Sequence, residues 1–453
     1  MTTPYHTTIR QLETHTNYET TIPQPADLQL DPIRTLLARL HNPHTLPQLI
    51  HIAGTKGKGA TTTLLAAALA QSAAPIGAAP VGAYLSPHLH SYRERITLNG
   101  QPIDPAAFLT AADPVLAAAD PTHTTFERLT AIAFQAFADA ACPFAVIETG
   151  LGGLTDATNV ITPILSIITP LSLDHTATLG PTIQHIATHK AGIIKPNTSV
   201  IIAPQPPAAR AILTATAARL NAPLINLATA FPLVHRQQFP AHQTLTLHTP
   251  RGLHTLTLAL PGSHNALTAR LVVAACYALG LPLPTDLTHV TLPGRFETLT
   301  LANRPLILDM AHNPAAAAAF TTTFRELYPG QTATLILAAP ADKDLDGILA
   351  ALAPIAHRLL LTTTGHPRSA SPAHLATLAA RLLPHIPTAT FSTLPTALDH
   401  TLSTSADKQP APIGHQSSVI GHCIAILGSV HTVAIARHHL ATHHHAPLTI
   451  PTP

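Results

Sequence analysis

The feature that most constrains this 453-residue chain is a recurring unit, a short apolar run that stops at glycine or proline and leads into an Ala/Leu-rich stretch of helical length. It first occurs at residues 48–53, which read as a buried strand, followed by the glycine-rich segment HIAGTKGKGATT and a helix over residues 61–71. It recurs at FAVIETG (144–150), ILSIITP (164–170) and SVIIAP (199–204), with helical stretches such as LTAIAFQAFADAA between them. Strands running in one direction need crossovers of this length, so the pattern predicts a parallel sheet with helices on its faces. Ligands of such sheets bind outside the carboxyl ends of the strands.

Near Thr244 the period changes to two. LTLHT and LHTLTLAL flank the turn PRG and predict an antiparallel hairpin at the sheet edge, followed by a helix over residues 264–280 that Gly280 ends. After LPGRF (292–296), the runs PLILDM, TATLILAA, HRLLLTT, TATFS and CIAILGS predict a second, smaller α/β domain of about five strands. Two domains also suit the length, which exceeds what one core sustains. From His438 the His- and Pro-rich end reads as a solvated tail with only adventitious affinity for metal.

A net charge of +2, with charged residues at 10%, leaves no broad basic surface for nucleic acid or anionic lipid, so small-molecule partners are expected. Cys142, Cys276 and Cys423 have no metal-type spacing and read as apolar packing in a reducing compartment. The N-terminus lacks an apolar signal core, and no window approaches the run of about 18 apolar residues that a membrane span needs. A cytoplasmic location is the expectation.

The loop Gly54-Thr55-Lys56-Gly57-Lys58-Gly59 offers glycines that let backbone N–H groups approach an anion, at a helix N-terminus whose dipole favours it. It is shorter than the general P-loop and lacks a hydroxyl directly after Lys58, so alone it also fits a plain turn. Glu148 ends an apolar strand beside a glycine-rich turn, where a carboxylate reaches a bound cation. Asp174 and His175 end the following strand. Alone, that pair reads more readily as a cap, but two strand ends with metal-competent residues flanking one anion loop read as chemistry. Lys190, in a helical stretch opening onto an apolar turn, reads as a surface lysine.

In order along the chain, GTKGKGATT, LSPHL, TFERLTA, ETGLGG with DATN, LDHT, KAGIIKP, LPGRFE and LDMAHNP resemble the motifs of folylpolyglutamate synthases and bifunctional dihydrofolate synthases, members of the Mur ligase superfamily. The resemblance implies an α/β fold: a P-loop-containing, parallel-sheet Mur-ligase-type domain over residues 1–293, then a smaller Rossmann-like domain over 294–453, with the active site between them. It implies a monomer that joins the amino group of L-glutamate to a pteroate or folate carboxylate using ATP. A carboxylate is a poor acyl donor, so the γ-phosphate is first transferred to it, and transfer between anions needs positive charge.

By the same resemblance, Lys58, His175 and Lys190 are catalytic, and Lys190 is carbamylated. Gly54, Thr55, Gly57, Lys58, Gly59, Thr61, Thr268, Arg295, Asp309 and His312 contact ATP, while Ser86, Glu148 and His175 hold Mg²⁺. Thr124, Phe126, Glu127 and Asp156 fall on substrate contacts, and Lys343 and Asp344 lie near the glutamate.

Four positions depart from the family pattern: Ala60 for Ser, Leu154 for Arg, Ser172 for Gly, and Thr268 for Asn, with Asn265 about one turn earlier. A lost hydrogen bond costs about 1 kcal/mol, so each change is survivable. Thr61 is expected to supply the hydroxyl that Ala60 lacks. A related Mur-type ligase with another acceptor, or a nucleotide-binding homologue without catalysis, are the alternative readings.

Overall fold

The computed structural model describes residues 3–18, 21, 23–46, 48–73, 79–301, 304–403 and 423–451. Its first sheet contains β1 (Leu49–Ala53), β2 (Gly82–Tyr84), β3 (Ile96–Leu98), β4 (Gln101–Pro102), β5 (Ala145–Glu148), β6 (Leu165–Ile168), β7 (Ser199–Ile202) and β8 (Leu224–Asn226). The spatial order is β4-β3-β2-β5-β1-β6-β7-β8, parallel throughout except at β2/β3 and β3/β4.

Strand β1 is buried at every residue because both faces of the sheet are covered. On one face Ile50 and Ile52 join Val146 and Ile167, together with Leu64 and Leu65 of helix Lys58–Ala73 and Leu271 and Val272 of helix Ser263–Ala278. On the other, Leu49, Tyr84 and Ile147 pack with Phe134 and Phe137 of helix Thr125–Asp139. The register sets Ile52 beside Glu148 and Ala53 beside Ile168, so the carboxyl ends of β5, β1 and β6 open side by side.

The hairpin has a different place from the one expected. Strands β9 (Leu233–Gln238), β10 (Gln243–Thr249), β11 (Gly252–Leu258) and β12 (Asp286–Leu287) form a separate four-stranded sheet, not an edge of the first. Alternation gives the hairpin one apolar face, and Leu245, Leu247, Leu256 and Leu258 bury that face in the core shared with helix Ser263–Ala278.

The third sheet comprises β13 (Glu297–Leu301), β14 (Arg304–Asp309), β15 (Ala333–Leu337), β16 (Ala356–Leu361), β17 (Thr388–Thr390) and β18 (Cys423–Leu427), ordered β13-β14-β18-β15-β16-β17. The five expected strands are all there. The sequence reading missed β13, which pairs antiparallel with β14 and alternates half-buried with exposed residues, so its apolar run is weak.

The expected solvated tail is so only in part: residues 438–443 complete helix Val430–His443, and Leu440 and, beyond the helix, Ala446 are buried against Leu306 and Ile426, while the other described residues from His438 onward are exposed or half-buried. Arg437 of this helix is buried and pairs with Glu297. It also donates from Nη2 to the Thr449 carbonyl at 2.9 Å and from Nε to His90 Nε2 at 3.3 Å, tying the segment after β2 to the third sheet. All three cysteines are free and buried. No helix among the described residues is long and apolar enough to cross a membrane.

Candidate active site

The loop after β1 turns tightly over β6. A Cβ on Gly54 would lie 1.7 Å from Thr169 Oγ1, so only glycine fits, and Gly57 takes a left-handed φ of 80° that glycine alone adopts freely. Thr55 fastens the loop: its Oγ1 donates to the Ser172 carbonyl at 3.1 Å and accepts from Ser172 N at 3.2 Å. Both bonds use Ser172 backbone atoms, so neither depends on whether serine or glycine stands there. The helix Lys58–Ala73 then starts with its N-terminus facing the cleft, a cradle for an anion.

Lys58 Nζ lies 3.7 Å from Glu148 Oε1, and Glu148 Oε2 accepts from Ser86 N at 3.3 Å. Loss of solvent raises the Glu148 pKa, while Lys58, the Ser86 amide and Arg295 oppose the shift. Gly59 leaves room beside this carboxylate, since a Cβ there would sit 3.4 Å from Oε2. His175 has a left-handed backbone, φ 48°, and its N–H donates to Asp174 Oδ1 at 3.0 Å. Its ring is 58% exposed but sits in the mouth of the cleft. Loss of solvent there, together with Lys58, Lys190 and Lys343, lowers its pKa against the pull of Asp174. A neutral imidazole suits a metal ligand.

Lys190 is not the surface lysine that its local sequence suggests. It is buried and donates from Nζ to the Gly152 carbonyl at 3.4 Å. Burial, reinforced by Lys58, lowers its pKa to about 7, although Asp156, Asp174 and Glu148 act in the other direction. Gly54, Thr55, Lys58, Asp174, His175 and Lys190 line one small cleft with the glycine-rich turn Gly150–Gly152.

From the third sheet, Asp309 is held by N–H groups of Phe296 and Ala311, both at 2.8 Å, and burial raises its pKa while Arg295 opposes. His312 Nδ1 donates to the Met310 carbonyl at 2.9 Å. Burial lowers its pKa. The two sides meet electrically: Arg295 acts on Glu148, Asp174 acts on His312, and Lys343 acts on His175.

Several expected site residues have other occupations. Thr61 is fully buried and donates its hydroxyl to the Gly57 carbonyl at 2.7 Å, so it faces its own helix and does not replace the hydroxyl that Ala60 lacks. Thr124 and Glu127 form a capping box on helix Thr125–Asp139, with Thr124 N donating to Glu127 Oε2 at 2.7 Å. Of that trio Phe126 lies nearest the cleft, since a Cβ on Gly150 would meet its ring at 2.5 Å. Asp156 accepts from Leu151 N at 2.7 Å and from Thr158 N at 3.0 Å, which organises the turn after Glu148. Asp344 caps helix Leu345–Leu352 through Gly347 N at 2.8 Å.

Thr268, not Asn265, abuts the loop: a Cβ on Gly57 would lie 3.6 Å from Thr268 Oγ1, whereas the Asn265 amide donates to the Pro261 carbonyl at 2.7 Å. Leu154 is exposed, and its backbone packs on Gly192 at the end of the Lys190 helix.

The sequence reading passed over Lys56, half-buried beside Asp174, whose pKa is lowered by burial against that carboxylate. The only signal was a second lysine in GTKGKG. It also passed over Thr169, whose buried hydroxyl under Gly54 has no hydrogen-bond partner among the described residues.

The Mur ligase middle domain family matches residues 52–276, and the Mur ligase glutamate ligase domain matches residues 294–411. The dihydrofolate synthase/folylpolyglutamate synthase of Mycobacterium tuberculosis is 34% identical over 444 residues, covering 91% of this chain and 90% of that protein. The Bacillus subtilis protein of the same name is 31% identical over 355 residues, 74% of this chain and 81% of its own length. Mycobacterium tuberculosis folylpolyglutamate synthase complexed with ADP and AMPPCP has a TM-score of 0.82 at 33% identity, covering 96% of this chain and 98% of that one. Escherichia coli FolC in complex with DHPP and ADP has a TM-score of 0.78 at 26% identity, covering 95% and 97%. With motif order, domain order and fold in agreement over most of its length, the chain belongs to the dihydrofolate synthase/folylpolyglutamate synthase family of Mur ligases.

Proposed function

We propose that this protein is an ATP-dependent ligase that joins L-glutamate to dihydropteroate, to a reduced folate, or to both. The observation that carries this reading is the convergence of the anion loop, the Lys58–Glu148 pair and the buried Lys190 at the carboxyl ends of β1, β5 and β6. Residues 1–293 bind nucleotide and pteridine, and residues 294–453 bring Arg295, Asp309 and His312 to the nucleotide. The protein works as a cytoplasmic monomer.

ATP phosphates lie against the backbone N–H groups of the glycine loop, with Lys58 beside the outer phosphates. The acceptor carboxylate attacks the γ-phosphorus, the bond to the β-phosphate oxygen breaks, and ADP leaves. The amino group of glutamate attacks the resulting acyl phosphate, which expels phosphate and loses a proton as the amide forms.

A carboxylate, a hydroxyl and an imidazole at Glu148, Ser86 and His175 suit a hard divalent cation, and the buried carboxylate fits that role. Mg²⁺ held there would supply charge neutralisation to the phosphates. Lys190 is suited to carbamylation because a pKa of about 7 leaves much of its amine neutral at physiological pH. The ammonium first gives up one proton, and the neutral amine then adds to CO₂ with formation of a C–N bond and release of a second proton, which turns a buried cation into an anion facing the cleft.

The test is ADP release on incubation with ATP, Mg²⁺ and L-glutamate plus either dihydropteroate or tetrahydrofolate, with UDP-muramyl peptides as controls. ADP formation that depends on a pteridine is the expected result. Turnover with neither pteridine overturns the reading.

A further inference from the structure

The C-terminal helix brings together a second group of metal-competent side chains that shares no residue with the cleft. His439 Nε2 and His444 Nε2 lie 2.7 and 2.8 Å from the same oxygen, Asp399 Oδ1. The three ligand atoms all lie within 4.8 Å of one another. Asp399 comes from helix Leu394–Ser403, His439 from helix Val430–His443, and His444 is the C-cap of the latter.

Packing independent of the cluster fixes these positions. Ala397 and Leu398 of one helix share a core with Ala436 and Leu440 of the other. The His439 side chain is 11% exposed and stacks on His443 at 4.5 Å, while the His444 ring meets it edge-on at 5.3 Å. Asp399 is 51% exposed and His444 26%, so one side of the trio opens to water.

We propose that Asp399, His439 and His444 form a site for a divalent cation of the zinc class, with water completing the coordination. Two imidazole nitrogens and one carboxylate oxygen favour a borderline transition metal over Mg²⁺ or Ca²⁺. In a tetrahedral site with bonds of about 2.0–2.1 Å, ligand atoms stand about 3.3 Å apart, so each His–Asp gap opens by only about half an ångström. The half-exposed Asp399 has room for that movement. In the hydrogen-bonded arrangement each imidazole donates an Nε2 hydrogen to Asp399 Oδ1. Ligation requires that hydrogen to pass through solvent to Nδ1, which leaves each ring neutral and frees Nε2 to bind the metal. The ion would clip the helix that carries Arg437 to its neighbour.

The experiment uses the untagged full-length chain, because 31 histidines already provide weak background binding. Co²⁺ titration followed by visible absorption is expected to give one equivalent of bound ion with the intense bands of four- or five-coordinate geometry. Asp399→Asn and His444→Ala each lose those bands and weaken binding at least about tenfold, while His443→Ala and His445→Ala do not. Zn²⁺ is expected to displace the Co²⁺ and to raise the unfolding temperature of the parent chain but not of Asp399→Asn. Far-UV circular dichroism checks that each variant is folded. Weak binding at several equivalents without intense bands overturns the proposal and leaves a hydrogen-bonded clip. So does a signal that survives Asp399→Asn and His444→Ala but vanishes with His443→Ala, which would assign the ion to the His439/His443 pair one helical turn apart.

Discussion

Lys58 Nζ stands 3.7 Å from Glu148 Oε1, joining the start of a helix to the end of the neighbouring strand at side-chain exposures of 17% and 3%. A carboxylate this deep is uncomfortable without a cation. Lys58 provides one, at a distance that leaves both groups able to turn toward phosphate and metal.

Substituting Glu148→Gln keeps shape and burial but removes the charge. The expected result is a folded protein whose kcat/KM for ATP falls on the order of 10²–10³-fold and is not restored by excess Mg²⁺. Steady-state ADP release measures it, and an unchanged value would remove Glu148 from the machinery.

Lys190 makes a prediction about pH. Its pKa falls from 10.5 to about 7 on folding, so between those values the unfolded chain holds a proton that the folded chain does not. The contribution of Lys190 to stability therefore rises with pH across that window and is least favourable at and below pH 7. Lys190→Met removes this dependence and, in CO₂-free buffer at pH 7, is expected to stabilise the chain by roughly 3–5 kcal/mol. Urea melts at pH 7 and 9 measure both effects. The same variant is expected to keep ATP binding while losing ligation.

Gly54→Ala places a methyl 1.7 Å from Thr169 Oγ1 and 3.2 Å from Thr169 Cα. The loop must lift off β6, at a cost of about 3 kcal/mol. Nucleotide affinity should be lost with it. Gly59→Ala, whose new atom would come no closer than 3.4 Å to its neighbours, is the control and should melt close to the parent in differential scanning calorimetry.

Ala60→Ser tests the family departure directly, because Thr61 has already spent its hydroxyl on Gly57. One added hydrogen bond or metal contact is worth about 1 kcal/mol, so KM for Mg·ATP should fall roughly fivefold. An unchanged KM would mean that the site is complete without a hydroxyl at this position.

Legibility in the sequence followed local physics. Ile50, Val146 and Ile167 announce buried strands because both faces of their sheet are covered, and the glycines of the loop announce an anion site because their freedom is written in the residue type. Lys190 could not be read locally: HKAGIIKP looks like a surface turn, and only the tertiary fold closes Gly152, Gly153 and Leu154 over it. Thr124 and Glu127 matched motif positions, yet their three-residue spacing is also that of a capping box, and the structure uses it as one. For β13 and the placement of the hairpin, the information lay in which face met which core, and sequence period does not specify that.

The charges that cross the cleft carry a thermodynamic consequence. Asp174, after β6, favours the protonated form of His312, after β14, and Lys343, after β15, disfavours that of His175. A change in the spacing of the two sides is therefore expected to shift the protonation of His175 and His312, which would couple closure to proton exchange. Ligand binding that draws the sides together should exchange protons with the medium, and its calorimetric heat should vary with the ionisation enthalpy of the buffer.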